Sequence, residues 1–249
     1  STEAMEIPLT LAEQFRYAIT SEQRAMVDGL LHGFLFIMVA YSLAIFMVLR
    51  DITYVYYSAY VFSMLTFFLS QQGLLYQYVF PASPALQHYT VALVSMFIFL
   101  SITLFFREFL DFRSTLPRTW LTFKVLLWLH AAFCLALPVV GYHQVIILMA
   151  MNTALASILT ASAIIRLALR GSRSAQIVLV GWAMLLLCMI LFVAARTGVF
   201  YNEFIAAYGL RLGISVEILI FSFALSFRFI QEREVKEWAL HQINQERAD

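Results

Sequence analysis

Two residues, Arg50 and Asp51, are all that separates the apolar run 27–49 from the apolar run 52–72. Each run is about 20 residues, enough for a helix rising 1.5 Å per residue to cross the hydrocarbon core of a bilayer. So short a connection leaves one arrangement, an antiparallel helical hairpin. The pattern then recurs. Further apolar runs stand at 88–106, 117–138, 145–169, 175–195 and 204–227, parted by short polar turns such as Gly171-Ser172-Arg173-Ser174. Hydrophobic residues make up 62% of the 249 and charged residues 12%, where a soluble domain carries roughly a quarter charged. No water-soluble core of this size hides that much apolar surface. The expected fold class is all-α integral membrane, a bundle of seven transmembrane helices surrounded by membrane lipid.

Seven spans place the two chain ends on opposite sides, and the basic residues choose which is which. One side holds twelve: Arg50, Arg107, Arg113, Arg118, Lys124, Arg166, Arg170, Arg173, Arg228, Arg233, Lys236 and Arg247. The other holds four: Arg16, Arg24, Arg196 and Arg211. The N-terminus is therefore expected outside and the C-terminus inside. Tyrosines and Trp120 at the span ends read as an aromatic belt, with Tyr54, Tyr56 and Tyr57 inside and Tyr76, Tyr78, Tyr142 and Tyr201 outside.

Residues 1–26 read as an outer linker. Thr10 and Glu13 form a capping-box pattern, and Leu11, Phe15, Ala18 and Ile19 recur at helical spacing, which predicts a short amphipathic helix. The bundle follows over 27–230. Residues 231–249 are the start of a cytoplasmic helix, because neither Pro nor Gly occurs after Gly213 and charges begin at Arg228. Ser1 is not an initiator Met, and the chain reads as a domain excised from a longer protein.

Polar residues within the spans are sorted by depth. His32, Gln71, Gln72, His88, Asn152, Arg196 and Arg211 fall in the outer halves, and Glu217 and His130 nearer the middle. The inner halves are apolar apart from hydroxyls such as Ser63 and Thr160. Ionisable groups at depth face the bundle interior, where they find partners or water, so the set suggests an outward-open polar cavity. Glu217 is the sharpest of them. Arg211, six residues away, is on another face of the same helix, so either a partner is expected on a neighbouring helix, with Arg196 first and His130 or Asn152 next, or the carboxyl group is protonated. That pair is either a packing device or a group that responds to a ligand. Gly29-x-x-x-Gly33 and Gly209-x-x-x-Gly213 allow close approach of helix backbones. His32 and His88 are expected to be hydrogen-bonded within the bundle.

Several chemistries lack their residues. The lysines are Lys124 and Lys236, neither mid-membrane, so no retinal Schiff base is expected. Cys134 and Cys188 lie in separate apolar runs, and no metal-ligand spacing occurs. There is no zinc-protease helix, nucleophile elbow or glycine-rich phosphate loop. No cofactor, metal or enzymatic activity is expected of this stretch, and a net charge of +1 points to no nucleic-acid partner.

Gly29-Leu-Leu-His-Gly33, Tyr41-Ser-Leu, Arg50-Asp51, Tyr54-Val-Tyr56-Tyr57, Gly73-Leu-Leu-Tyr76 and Pro81 stand in an order that resembles a known family. So do Phe106-Arg-Glu-Phe-Leu-Asp111 with Pro117, Gly171 followed by Gly181-Trp182, and Gly213-x-x-x-Glu217 leading to Ala224-Leu225 and Arg228. The resemblance, over about 29–236, is to the bacterial seven-transmembrane receptors with diverse intracellular signalling modules. It implies an inner-membrane receptor domain between an outer sensor domain and an inner effector of histidine kinase or diguanylate cyclase type. It also implies a homodimer paired through the cytoplasmic helix, and no catalytic residues in the bundle. The alternatives are a small transporter or channel, which needs polar residues through the inner half as well, and a plain membrane anchor.

Overall fold

The computed structural model describes the backbone of residues 11–81, 83–200 and 202–246, and the side chains of these apart from 11–20, 84, 85, 87, 88, 232 and 234–246. Every regular element among the described residues is helical. They are α1 (Leu11–Leu49), α2 (Ile52–Gln71), α3 (Pro84–Phe109), α4 (Phe112–Thr115), α5 (Pro117–Leu135), α6 (Leu137–Val140), α7 (Tyr142–Leu169), α8 (Arg173–Arg196) and α9 (Glu203–Glu246), with a π-helical turn at Leu75–Val79.

Helix boundaries follow the local chemistry. Arg50 takes a left-handed conformation with φ of 59°, which reverses the chain in two residues. Asp51 then caps α2, its Oδ1 accepting from the Thr53 amide at 2.9 Å and the Thr53 hydroxyl at 2.7 Å. Pro117 opens α5 in the first turn, where a missing amide costs nothing. Gly141 and Gly171, at φ of 96° and 88°, turn the chain into and out of α7. α1 is unbroken from Leu11, so residues 11–26 form its opening turns and not the separate short helix expected; residues 1–10 lie outside the described residues. Likewise α9 crosses residue 230 without interruption.

Consecutive long helices alternate in direction and pack as a closed ring in chain order: α1, α2, α3, α5, α7, α8, α9 and back to α1. The turns after α1, α3 and α7 and residue Arg228 of α9 define one end, here the basic end. The other, where α9 starts, is the distal end. Six helices are long and apolar enough to cross a membrane: Ser21–Leu49, Ile52–Gln71, Tyr89–Phe109, Tyr142–Leu169, Arg173–Arg196 and Glu203–Gln231. The expected fourth span, α5, is not among them; Arg118, Lys124 and His130 dilute its hydropathy.

α9 turns one face to the interior of the bundle. Ile214, Glu217, Ile218, Phe221, Ala224 and Leu225 recur at helical spacing and are all buried. Phe221 meets Phe105 and Phe106 of α3, each with ring centroids 5.8 Å away, and Phe106 meets Trp182 of α8 at 6.5 Å. Towards the basic end the interior is thus filled by rings. The hydroxyls expected there bond back to their own helices, Ser63 to the Ala59 carbonyl at 2.7 Å and Thr160 to the Ala156 carbonyl at 2.8 Å.

Candidate functional site

The polar groups that face α9 stand at three depths. In the middle is Glu217, 2% exposed. Its Oε2 accepts a hydrogen bond from the Tyr60 hydroxyl of α2 at 2.9 Å. One turn away along α2, the Tyr57 hydroxyl donates to the Ile218 carbonyl at 2.6 Å. The expected partners of Glu217 are therefore replaced. Arg196 sits at the distal end of α8, its guanidinium 5.8 Å from the Phe192 ring. His130 and Asn152 belong to another cluster. The belt assignment of Tyr54 and Tyr57 is also corrected: at 3% and 1% exposed, both face the core. The signal was present, since Tyr57 and Tyr60 lie three residues apart and share one helix face. A span-end tyrosine suits a lipid interface and a buried polar contact equally well, so position along the span could not choose between them.

At the distal end α9 lines a cleft of about 620 Å³ that also touches α1, α2 and α8. Arg211 forms an ion pair with Asp28 of α1, a partner not anticipated from the sequence. The same guanidinium lies 5.8 Å from the Tyr208 ring and 6.0 Å from that of Phe68. Arg24, Gln71, Arg196 and Glu203 complete the polar lining. Gln71 also borders a second cleft with Gln72, Tyr76 and Tyr142. The Nε2 of His32, one turn from Asp28 on α1, is buried without a hydrogen-bond partner among the described residues. The side chain of His88 and residue Tyr201 lie outside the described residues.

His130 and Asn152 do meet, away from α9. His130 Nδ1 lies 3.1 Å from Asn152 Nδ2, which also donates to the Leu126 carbonyl at 3.0 Å. His130 Nε2 lies 3.2 Å from Ser95 Oγ, and the ring stacks on Phe99 at 4.7 Å. This contact ties α3, α5 and α7. Of the nine residues expected around one outward-open cavity, Gln71, Arg196 and Arg211 line the distal cleft, Gln71 and Gln72 the neighbouring one, and Glu217, His130 and Asn152 make two separate buried contacts.

The two glycine motifs behave differently. Among the described residues a Cβ on Gly29 or Gly33 would meet nothing within 4 Å, so neither packs against a described helix, contrary to expectation. A Cβ on Gly213 would stand 2.6 Å from the Cβ of Cys188, and one on Gly209 would stand 3.3 Å from that of Phe192. Gly181, not singled out in the sequence, returns the fit from α8: a Cβ there would stand 3.1 Å from the Phe221 ring. Small residues on both helices bring α8 and α9 into close backbone contact.

At the basic end, Arg228 Nη1 donates to the carbonyls of Glu108 and Phe109, both at 2.8 Å. These are among the last carbonyls of α3, which lack helical donors, so Arg228 closes that helix end. Its guanidinium also lies 5.6 Å from the Phe109 ring. Beside it, Arg107 reaches the Tyr56 hydroxyl at 3.4 Å and lies 5.7 Å from the Trp120 ring. Arg228→Gln is expected to lower unfolding stability by about 1–3 kcal/mol, the range for hydrogen bonds from a charged donor. Arg228→Lys should keep most of it. Denaturant titration of the purified protein in micelles measures both.

No group of three or more potential metal ligands occurs among the described residues. Taken together, α9 is held at its middle by α2, along one side by α8, and at the basic end by α3. That geometry suits a helix whose position the rest of the bundle controls. No curated protein and no solved structure matches the chain. A family model described as 7TM diverse intracellular signalling matches residues 24–228, from the distal cleft to the basic-end arginine. The domain that defines this family is a membrane sensor module and not itself catalytic. The match spans well over half of the sequence, and the chain belongs to the 7TM diverse intracellular signalling family.

Proposed function

We propose that this chain is the transmembrane sensor and relay domain of a bacterial inner-membrane receptor. Its N-terminus is outside and its C-terminus inside, and the distal end is the outer one. α5 is the seventh span: it packs between α3 and α7, and its one buried imidazole has polar partners on both neighbours. An extracytoplasmic event, supplied by an outer domain or by the bundle itself, shifts α9. α9 passes the shift to a cytoplasmic effector of histidine kinase or diguanylate cyclase type. Two copies pair through the cytoplasmic part of α9, where Val235, Trp238 and Gln242 are spaced for a short seam.

The observation that carries this reading is α9 itself. One unbroken helix of 44 residues lines the distal cleft, holds Glu217 in the core and continues beyond Arg228. A rod with no break can transmit rotation or translation from end to end, as a hinged one cannot. The ring-filled interior towards the basic end speaks against a solute path, so transport is the weaker reading.

The test is a fusion of the chain to a cyclase reporter with helical insertions after Arg233. Seven residues add about two turns and preserve the facing of the helix, whereas four rotate it by roughly 40° beyond one turn and three by roughly 60° short of one. Seven are expected to retain regulated output and three or four to alter it. Output indifferent to all three insertions would sink the relay.

A further inference from the structure

The distal cleft has the makings of a ligand site. Its lining carries three guanidinium groups, Arg24, Arg196 and Arg211, against two carboxylates, those of Asp28 and Glu203. Arg211 is already neutralised by Asp28. Arg196 stands differently. Its guanidinium is exposed and lies 5.8 Å from the Phe192 ring, and a guanidinium beside a ring keeps N–H donors for a planar or tetrahedral anion. Aromatic walls, Phe192 and Tyr208 among them, flank the charged groups. A volume of about 620 Å³ lies within the usual range of small-molecule sites. Apolar walls with a few convergent donors bind a molecule with an apolar or aromatic body and one anionic head.

We propose that the distal cleft binds a small amphiphilic anion, its carboxylate or phosphate head on Arg196 and Arg24 and its apolar body against Phe192 and Tyr208. The cleft is walled by α1, α2, α8 and α9, so an occupant bridges α1 and α8 across the start of α9. The Arg211–Asp28 pair, which already joins α1 to α9, stays in place beneath it. The head could belong to a free soluble anion or to an anionic lipid of the surrounding leaflet, and the two are separable by experiment. This inference concerns occupancy of the cleft and does not depend on any output through α9.

The purified chain is placed in nanodiscs of phosphatidylcholine alone, or of phosphatidylcholine with phosphatidylglycerol. Phenyl phosphate and inorganic phosphate are titrated into the first by calorimetry, and the unfolding midpoint is compared between the two. Saturable binding of phenyl phosphate, tighter than that of inorganic phosphate, supports the site and assigns it to a soluble anion. A midpoint raised by phosphatidylglycerol, without phenyl phosphate binding, supports it and assigns the head to a lipid. In either case Arg196→Gln should weaken the effect at least about tenfold, or about 1.4 kcal/mol. Arg24→Gln should weaken it too. Arg196 has no carboxylate partner among the described contacts and is exposed beside the Phe192 ring, so Arg196→Gln should cost no more than about 1 kcal/mol in phosphatidylcholine, which separates lost binding from lost folding. No effect of either probe on the unaltered chain overturns the proposal, as does an undiminished effect in Arg196→Gln.

Discussion

Gly213→Ala is expected to lower unfolding stability by about 1–3 kcal/mol, the usual cost of overfilling a packed contact. The added Cβ would stand 2.6 Å from the Cβ of Cys188, where two carbons attract best at about 3.5–4.0 Å. Both atoms are bonded directly to backbone, so no side-chain rotation relieves the clash, and the helices must part. Parting them spoils the fit of Phe221 over Gly181 further along the same interface. The compensating change is specific. Cys188→Gly should restore much of the loss, whereas Cys188→Ala should not, because it keeps the Cβ that is struck. Gly29→Ala and Gly33→Ala are the controls. With nothing within 4 Å of either, each is expected within about 0.5 kcal/mol of the parent. Denaturant titration in one detergent, applied to all five variants, decides. A Gly213→Ala protein as stable as the parent would mean that α8 and α9 do not approach this closely.

Tyr60→Phe is expected to cost about 1–3 kcal/mol, because it removes the hydrogen-bond donor of a carboxyl group buried from bulk solvent. Glu217 is 2% exposed, and Tyr60 is its hydrogen-bond partner among the described residues. Tyr57→Phe removes a bond of similar length, yet should cost less. Its acceptor, the Ile218 carbonyl, lies mid-helix and is already engaged by the backbone of α9. Glu217→Leu should partly cancel the cost of Tyr60→Phe, since removing both partners leaves no polar group stranded. The double-mutant cycle is therefore expected to show a coupling of about 0.5–3 kcal/mol. Additive single effects would mean the two side chains do not meet. The same variants bear on signalling: in a reporter fusion, output unaffected by Glu217→Gln would remove Glu217 from the relay and leave it a packing group.

The uneven legibility of the site follows from what each feature depends on. Glu217 stood out because a carboxylic acid amid apolar residues is costly in a membrane and must be paired or buried. Its partner did not stand out, because reasoning by charge led to Arg196, whereas the contact made is a neutral hydroxyl on a helix distant in sequence. The Gly-x-x-x-Gly spacing is identical in α1 and α9, and only one copy faces a neighbour. Gln71, Arg196 and Arg211 share one cleft. Asp28, at the start of the first apolar run, pairs with Arg211, a contact between helices far apart in the chain that nothing local marks. The depth of His130 and Asn152 points to Glu217 as their company, whereas they meet each other.

By itself the sequence determined that this is a helical membrane protein, where its turns fall and which helix runs on past the basic end. Those properties depend on hydropathy, on segment length and on residues such as Asp51, Gly171 and the glycine-free stretch after Gly213, all of which act locally. Tertiary structure alone decided which face of each helix meets which neighbour. A helix offers every direction around its axis, and a lipid-facing side is as apolar as a buried one, so the hydrophobic pattern that orients a soluble helix is silent here. Only the closing of the ring turned Tyr57 and Tyr60 towards α9, left Gly29 and Gly33 outside, and set Arg228 on the end of α3.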